Sequence, residues 1–409
     1  MNNKKRIVFV NMHSNWMVVK SPLVYLFKFS AAIKHAYILD YLLHTSEYEV
    51  CNYINQKGFS ILRTNNAFLT TILNKFSGLE CKKTFKVNKI DRKKITILCD
   101  KSEIRQNDLI VLYNICKDNY IEMSGVNTFK ALSMIHFSGN SKESEIIKNA
   151  GVSCLFNECN LSKNSEIYKR CYDLDMSWVV HPFVFAERFK NNKPFEGRKN
   201  MAFATGTITY RTHEEHMNTY GDSCVQPLRK QIKDNPEHFK DTIYCTSSDY
   251  LEDNHGKVIK EADNIIVKIY KKIYNKTHVG KQKKYFSFDM VEAFNDYKMC
   301  IVAEECLGIP GIGFVEGMAC GCAYIGIDIP AYRDWGMIPG EHFITYDGTK
   351  EHLKEVIEYY QKDEHQEELE RIAKAGCEFV KNNFNGDTVA KKLIENLVAE
   401  QEKWLANRN

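Results

Sequence analysis

The chain has 409 residues, which at roughly 150 residues per domain is room for about two to three domains. Its 26% of charged residues is ordinary for a folded protein, and 8 prolines with 21 glycines are too few for a collagen-like or linker-rich chain. The net charge of +4, from 56 Lys and Arg against 52 Asp and Glu, is too small an excess to indicate a nucleic-acid binder.

Residues 6–12 (RIVFVNM) read as a buried strand behind a short polar, basic start that lacks the apolar core of a secretory signal. A reducing cytosol is therefore expected, with the 14 scattered cysteines serving as buried thiols; none forms a C-x2-C pair. The most apolar region, 16–43, is broken by Lys20, Lys28, Lys34 and Asp40, so it would cross a bilayer only at high cost. Its end, 31–43, reads as a helix. A strand at 48–54, a helical stretch at 68–76 and a lysine-rich exposed excursion at 82–96 follow. Further strands are expected at 108–115, 131–137 and 152–156. Strands alternating with helices predict a parallel sheet covered on both faces.

Near residue 180 the pattern restarts. A short strand at 178–180 runs through HPFVFAERF into a polar stretch, 190–200, whose Pro194 and Gly197 make it the best linker candidate. Strands at 201–205, 241–245, 299–303 and 322–327 then build a second α/β series. The predicted architecture is two Rossmann-like domains facing each other across a cleft: 1–190, 191–385 and a last helical segment, 386–409. Stripes such as Leu353, Val356, Ile357 and Tyr360, or Val389, Leu393, Ile394 and Leu397, are packing faces of C-terminal helices.

In parallel sheets ligands bind where strands end and helices begin, and 297–327 is the segment that best fits this. It reads as a strand, a loop with Gly308, Gly311 and Gly313, a helix from about Phe314, and another strand. Glycines let backbone approach a bound phosphate or sugar, and a helix N-terminus supplies free amides. Glu316 in the first turn can accept hydrogen bonds from sugar hydroxyls; an ordinary βαβ turn whose glutamate answers the helix dipole has the same spacing.

The run EECLGIPGIGFVEGMACGCAYIG resembles the donor-binding signature of GT-B glycosyltransferases, E-x-F-G-[LI]-P-x-x-E-A-M-A-x-G-x-P-V-I. The similarity continues through about residue 400 and is weak before 180. Glu305 precedes Leu307-Gly308-Ile309-Pro310 as the family's first Glu precedes F-G-[LI]-P, and Glu316 stands for the second if the loop carries three extra residues. The resemblance implies that Glu316 binds ribose hydroxyls and that Glu305 lies near the transferred sugar. Loop amides of Gly311, Ile312, Gly313 and Phe314 would face the sugar and phosphates. It also implies a cationic clamp for the leaving diphosphate near the first strand of the second domain; in ATGTITYR the candidates are Gly206 in the turn and Arg211. His13 directly follows the first strand, where inverting relatives keep their base. His136 lies where retaining relatives place a histidine, and the C-terminal likeness leans towards retention. The last helix is expected to cross back to the first domain.

Asp173-Leu174-Asp175 has the D-x-D spelling but stands beside the domain junction, and His213-Glu214-Glu215-His216 lacks the i,i+4 histidine pair of a zinc site. No metal and no cofactor is expected. Lysines 268, 271, 272, 276, 281, 283 and 284 form an acid-free run, either a solvated face or a surface for an anionic membrane or charged glycan. The expectation is a cytoplasmic, metal-independent hexosyltransferase of polysaccharide biosynthesis, with a peripheral position at the inner membrane face open to it. It would move a sugar from a UDP- or GDP-linked nucleotide sugar to a glycan or lipid-linked acceptor. A non-catalytic sugar-nucleotide or glycan-binding protein and a nucleotide-sugar epimerase are the alternatives.

Overall fold

Uninterrupted apolar runs make strands that are covered on both faces, and Ile7, Val8, Phe9 and Val10 are each at most 1% exposed. The computed structural model describes residues 4–15, 17–20, 34–45, 47–54, 81–134, 141–171, 174–249, 264–274 and 288–408. Residues 16 and 21–33 of the apolar region, the helix expected at 68–76, His136, Asp173 and Lys276, Lys281, Lys283 and Lys284 lie outside these residues.

The first sheet contains β1 (Lys5–Val10), β2 (Tyr48–Tyr53), β3 (Ile95–Leu98), β4 (Leu109–Tyr113), β5 (Phe129–Ser133), β6 (Cys154–Asn157) and β7 (Ser177–Val180). Their order is β3-β2-β1-β4-β5-β6-β7, all parallel, with Ile7 opposite Val50 on one side and Leu109 on the other. The order reverses between β1 and β4, as in a doubly wound nucleotide-binding sheet. The excursion expected at 82–96 is instead helical over 81–87, because Cys81 and Phe85 are buried in the first core.

The second series has β8 (Lys199–Ala204), β9 (Thr207–Ile208), β10 (Ile243–Cys245), β11 (Ser248–Asp249), β12 (Tyr297–Ile301), β13 (Ala323–Ile327) and β14 (Ile344–Tyr346). Five of them form a parallel sheet in the order β10-β8-β12-β13-β14, and β9 pairs with β11. Counted within this unit the order is the other doubly wound one, reversing between β8 and β12.

The chain divides into one unit of 1–163, 168–181 and 386–409, and another of 164–167 and 182–385. Leu393, Ile394 and Leu397 of the last helix, Gly386–Ala406, are buried in the same core as β1 and β4. Gln401 of that helix donates to the carbonyls of Asn107 and Asp108 at 3.0 and 2.8 Å. The division after β7 falls at His181, earlier than 190, because Phe183 packs against Phe314 and Trp335, and Phe189 against Phe294. Nor is 190–198 a loose linker. Buried Arg198 donates to Asn191 Oδ1, the Lys193 carbonyl and the Cys320 carbonyl at 2.8 to 2.9 Å.

Candidate active site

In a doubly wound sheet the ligand crevice opens at the carboxyl ends of the strands where the order reverses. In the second unit these are β8 and β12. The turn after β8 holds Gly206 at φ 129°, and a Cβ there would lie 2.5 Å from Arg229 Cζ. Both the backbone and the close approach require glycine. Arg229 belongs to the helix Pro227–Asp234, whose Leu228 and Ile232 face the core. Its buried guanidinium donates to the carbonyls of Thr207, beyond β8, and Ala303, beyond β12, the latter at 3.1 Å. A Cβ on Gly311 would lie 3.3 Å from Arg229 Nη2 and 2.9 Å from Val302 Cγ1. One buried cation thus ties the turn after β8 to the glycine loop after β12. Hydrogen bonds from a charged donor contribute about 1.5–3 kcal/mol each.

Beyond β12 the chain folds back on itself, Glu305 bridging to Ile309. Glu305 Oε1 accepts from Gln226 Nε2 at 3.0 Å, and Gln226 Oε1 accepts from the Thr209 amide and hydroxyl at 2.8 and 3.0 Å. Arg211 is tied to the same region: its amide donates to the Ser223 carbonyl at 2.7 Å. Burial pushes the neighbouring Cys306 thiol up to about 12, with Arg211 pulling the other way. Glu304 points into the unit, where Oε1 accepts from Tyr324 Oη, Tyr332 Oη and the Ile327 amide at 2.8 to 2.9 Å. Burial raises its carboxyl above the usual range.

Glu316 stands in the helix Gly313–Ala319. Burial pushes its carboxyl up to about 7, opposed by Arg188. The two glutamates therefore have different partners, Gln226 for Glu305 and Arg188 for Glu316. Phe314 departs from expectation. Its ring is fully buried, stacked at 5.7 Å on Trp335, and its amide donates to the Gly311 carbonyl at 3.2 Å, so it is engaged within the turn. Gly313 packs down on Val302, where a Cβ would come within 3.1 Å. Ile312 stands between the two glycines with its side chain 39% exposed.

In the first unit the order reverses between β1 and β4, and His13 follows β1 in the short turn Met12–Ser14. Asn11 takes a left-handed conformation there and donates to Asn119 Oδ1 at 2.9 Å. His13 is buried, neither ring nitrogen has a hydrogen-bond partner among the described residues, and burial lowers its pKa to about 4. Further along the same edge, beyond β6, buried Glu158 has Lys34 Nζ at 3.3 Å and His35 Nε2 at 3.6 Å. Tyr37 Oη lies 3.4 Å from His181 Nδ1 beside them.

Sequence reasoning missed Arg229, Gln226 and the Glu158 group. The signal for Arg229 was a cation sharing the buried stripe of a short helix with Leu228 and Ile232. His213 of the H-E-E-H run caps a helix, its Nδ1 accepting from the His216 amide at 3.2 Å. Among the described residues no group of three or more His, Cys, Asp or Glu could hold a metal, and no helix is long and apolar enough to cross a membrane.

Two doubly wound parallel units in one chain are the pair of Rossmann-like domains that the sequence predicts. Residues 226–395, which contain Arg229, Glu305 and Glu316, match a family model described as glycosyl transferase-like. That segment, less than half of the chain, is similar to this family. Among solved structures, the N-terminal domain of trehalose-6-phosphate phosphatase from Candida albicans is similar with a TM-score of 0.51 and 10% identity over 97% of either chain. HepE from Anabaena, solved with UDP and glucose, has a TM-score of 0.48 and 12% identity over 97% of this chain and 100% of that one. Sucrose-phosphate synthase from Thermosynechococcus elongatus has a TM-score of 0.47 and 11% identity over 99% of this chain and 100% of that one. At such identities the likeness concerns the fold. The comparison with curated proteins gives no match.

Proposed function

We propose that the protein moves a sugar from a UDP- or GDP-linked nucleotide sugar to a glycan or lipid-linked acceptor, in the building of cell-surface polysaccharide. The observation that carries this reading is Arg229 binding the Gly206 turn to the Gly311 loop at the strand-order reversal, inside the segment that matches the family model. A leaving diphosphate needs fixed positive charge, and on this reading Arg229 holds the two loops in place while Arg211 meets the phosphates without a resident metal. Glu316 would accept from the ribose hydroxyls, and Glu305, oriented by Gln226, would address the transferred sugar. The backbone of Gly311, Ile312 and Gly313 would line the same pocket.

On the acceptor side, His13 is neutral at physiological pH and so able to take the proton of an attacking hydroxyl. The sugar transition state is oxocarbenium-like in either stereochemical course, and we favour retention on the likeness of the C-terminal segment. The free thiols of the described cysteines suit a cytosolic setting.

The test is incubation of the full chain with UDP-, GDP- and CMP-sugars, followed by separation of nucleotide and sugar products. Slow release of free nucleotide supports the transferase. Binding without turnover would replace it with a sugar-nucleotide-binding protein, and an altered sugar still joined to its nucleotide would replace it with an epimerase.

A further inference from the structure

The helix Ile265–Tyr274 (IIVKIYKKIY) in the second unit is amphipathic, yet it turns its apolar side to solvent. At about 100° per residue, Ile265, Ile269, Ile273, Ile266 and Tyr270 fall in order along one continuous arc. Their exposures are 71%, 52%, 57%, 74% and 53%. Lys268, Lys271 and Lys272 share the remaining arc, and the less exposed positions are Val267, Lys268 and Lys271. The isoleucines and Tyr270 are thus more exposed than Lys268 and Lys271. Of the twelve exposed large apolar side chains among the described residues, five stand on these ten residues, so the patch is not the scatter usual on a soluble surface.

We propose that this helix is an interfacial anchor that lies in the plane of an anionic lipid bilayer. Its isoleucines and Tyr270 would enter the boundary between headgroups and acyl chains, and its lysines would pair with lipid phosphates. Charge selects this occupant over a second copy of the chain. The helix carries three lysines and no acid, and the sequence has no Asp or Glu between Asp263 and Asp289. Two such faces brought together would set lysine against lysine, whereas an anionic bilayer answers both the apolar arc and the positive one. Lys272 borders the apolar arc, where its stem can lie along the lipid while the ammonium reaches the headgroups. The inference is independent of the transferase reading, since it concerns where the protein sits and not what it turns over.

Flotation of the full chain with vesicles tests it. Vesicles of phosphatidylcholine with about one-third phosphatidylglycerol should carry the protein upward, and added salt should weaken the binding by screening the lysines. The pair Ile266→Asp with Ile269→Asp and, separately, Lys268→Glu with Lys272→Glu should each lower the bound fraction about tenfold or more. Far-UV circular dichroism and the thermal midpoint of the Ile266→Asp, Ile269→Asp variant should match the parent, because both side chains are exposed. Absence of flotation with anionic vesicles overturns the proposal, as does flotation that both variants retain. A parent that is dimeric in sedimentation and a monomeric Ile266→Asp, Ile269→Asp variant, without lipid binding in either, would assign the face to a second copy and overturn it as well.

Discussion

The two strand-order reversals are built on opposite principles. In the first unit the position after β1 is occupied by a neutral, buried imidazole without a hydrogen-bond partner among the described residues. In the second unit the equivalent crevice is tied by polar side chains: Arg229 spans two loops, Gln226 fixes Glu305, and burial pushes the Glu316 carboxyl up to about 7 against the pull of Arg188. Burial keeps the His13 imidazole neutral and able to accept a proton, and the same burial makes it a weak base. A buried cation that fastens two loops suits holding an anionic ligand still. On the proposed reading, the same topology would provide a site for proton movement in one unit and a site for grip in the other.

The strongest way to break this contrast is His13→Ala. Turnover should fall about a thousandfold while nucleotide-sugar affinity, measured by calorimetry, stays within a factor of two or so. A parallel loss of affinity would show that His13 also belongs to the grip.

The pH dependence of stability sharpens the contrast, because the two groups have opposite signs. His13 is lowered from 6.5 to about 4, so the unfolded chain binds the extra proton between these values and stability is lost as pH falls through that window. Glu316 is raised from 4.5 to about 7, so the folded chain binds the extra proton and stability is lost as pH rises through it. Each shift corresponds to about 3 kcal/mol at most. Denaturant titrations should show His13→Gln flattening the acid limb and Glu316→Gln gaining stability at pH 8 with little change at pH 4.

Gly206→Ala should then lower nucleotide-sugar affinity by about thirtyfold, roughly 2 kcal/mol, since the new methyl displaces the Arg229 guanidinium and strains a positive-φ turn. The smallest effect is expected for the donor affinity of Glu316→Gln, down about tenfold, because the amide still offers one acceptor oxygen. An unchanged affinity would leave Glu316 as a helix residue that answers only Arg188.

Much of this protein was already written in its residues. The unalternating apolar runs of β1, β4 and β12 demand strands covered on both faces, and their spacing with helices between demands parallel sheets. The pattern from Glu305 to Gly321 located the loop and short helix at the crevice, because glycine and a first-turn acid are local requirements of such a turn. The strand order itself, and with it the two reversal points, came only from tertiary pairing.

So did the allegiance of 182–198, a segment polar enough to read as a linker until Phe183, Phe189 and Arg198 are seen buried in the second unit. Phe314 shows the reverse: the signature singled out its backbone amide, and packing against Trp335 makes its ring core. Arg229 could not be singled out along the chain because its partners, Gly206, Thr207, Ala303 and Gly311, lie up to 82 positions away. Periodicity and turn chemistry act between near neighbours and are fixed by composition and order. Which distant carbonyls a buried cation must satisfy, and which aromatic faces close on one another, is decided only when the sheets bring those groups within a few ångströms.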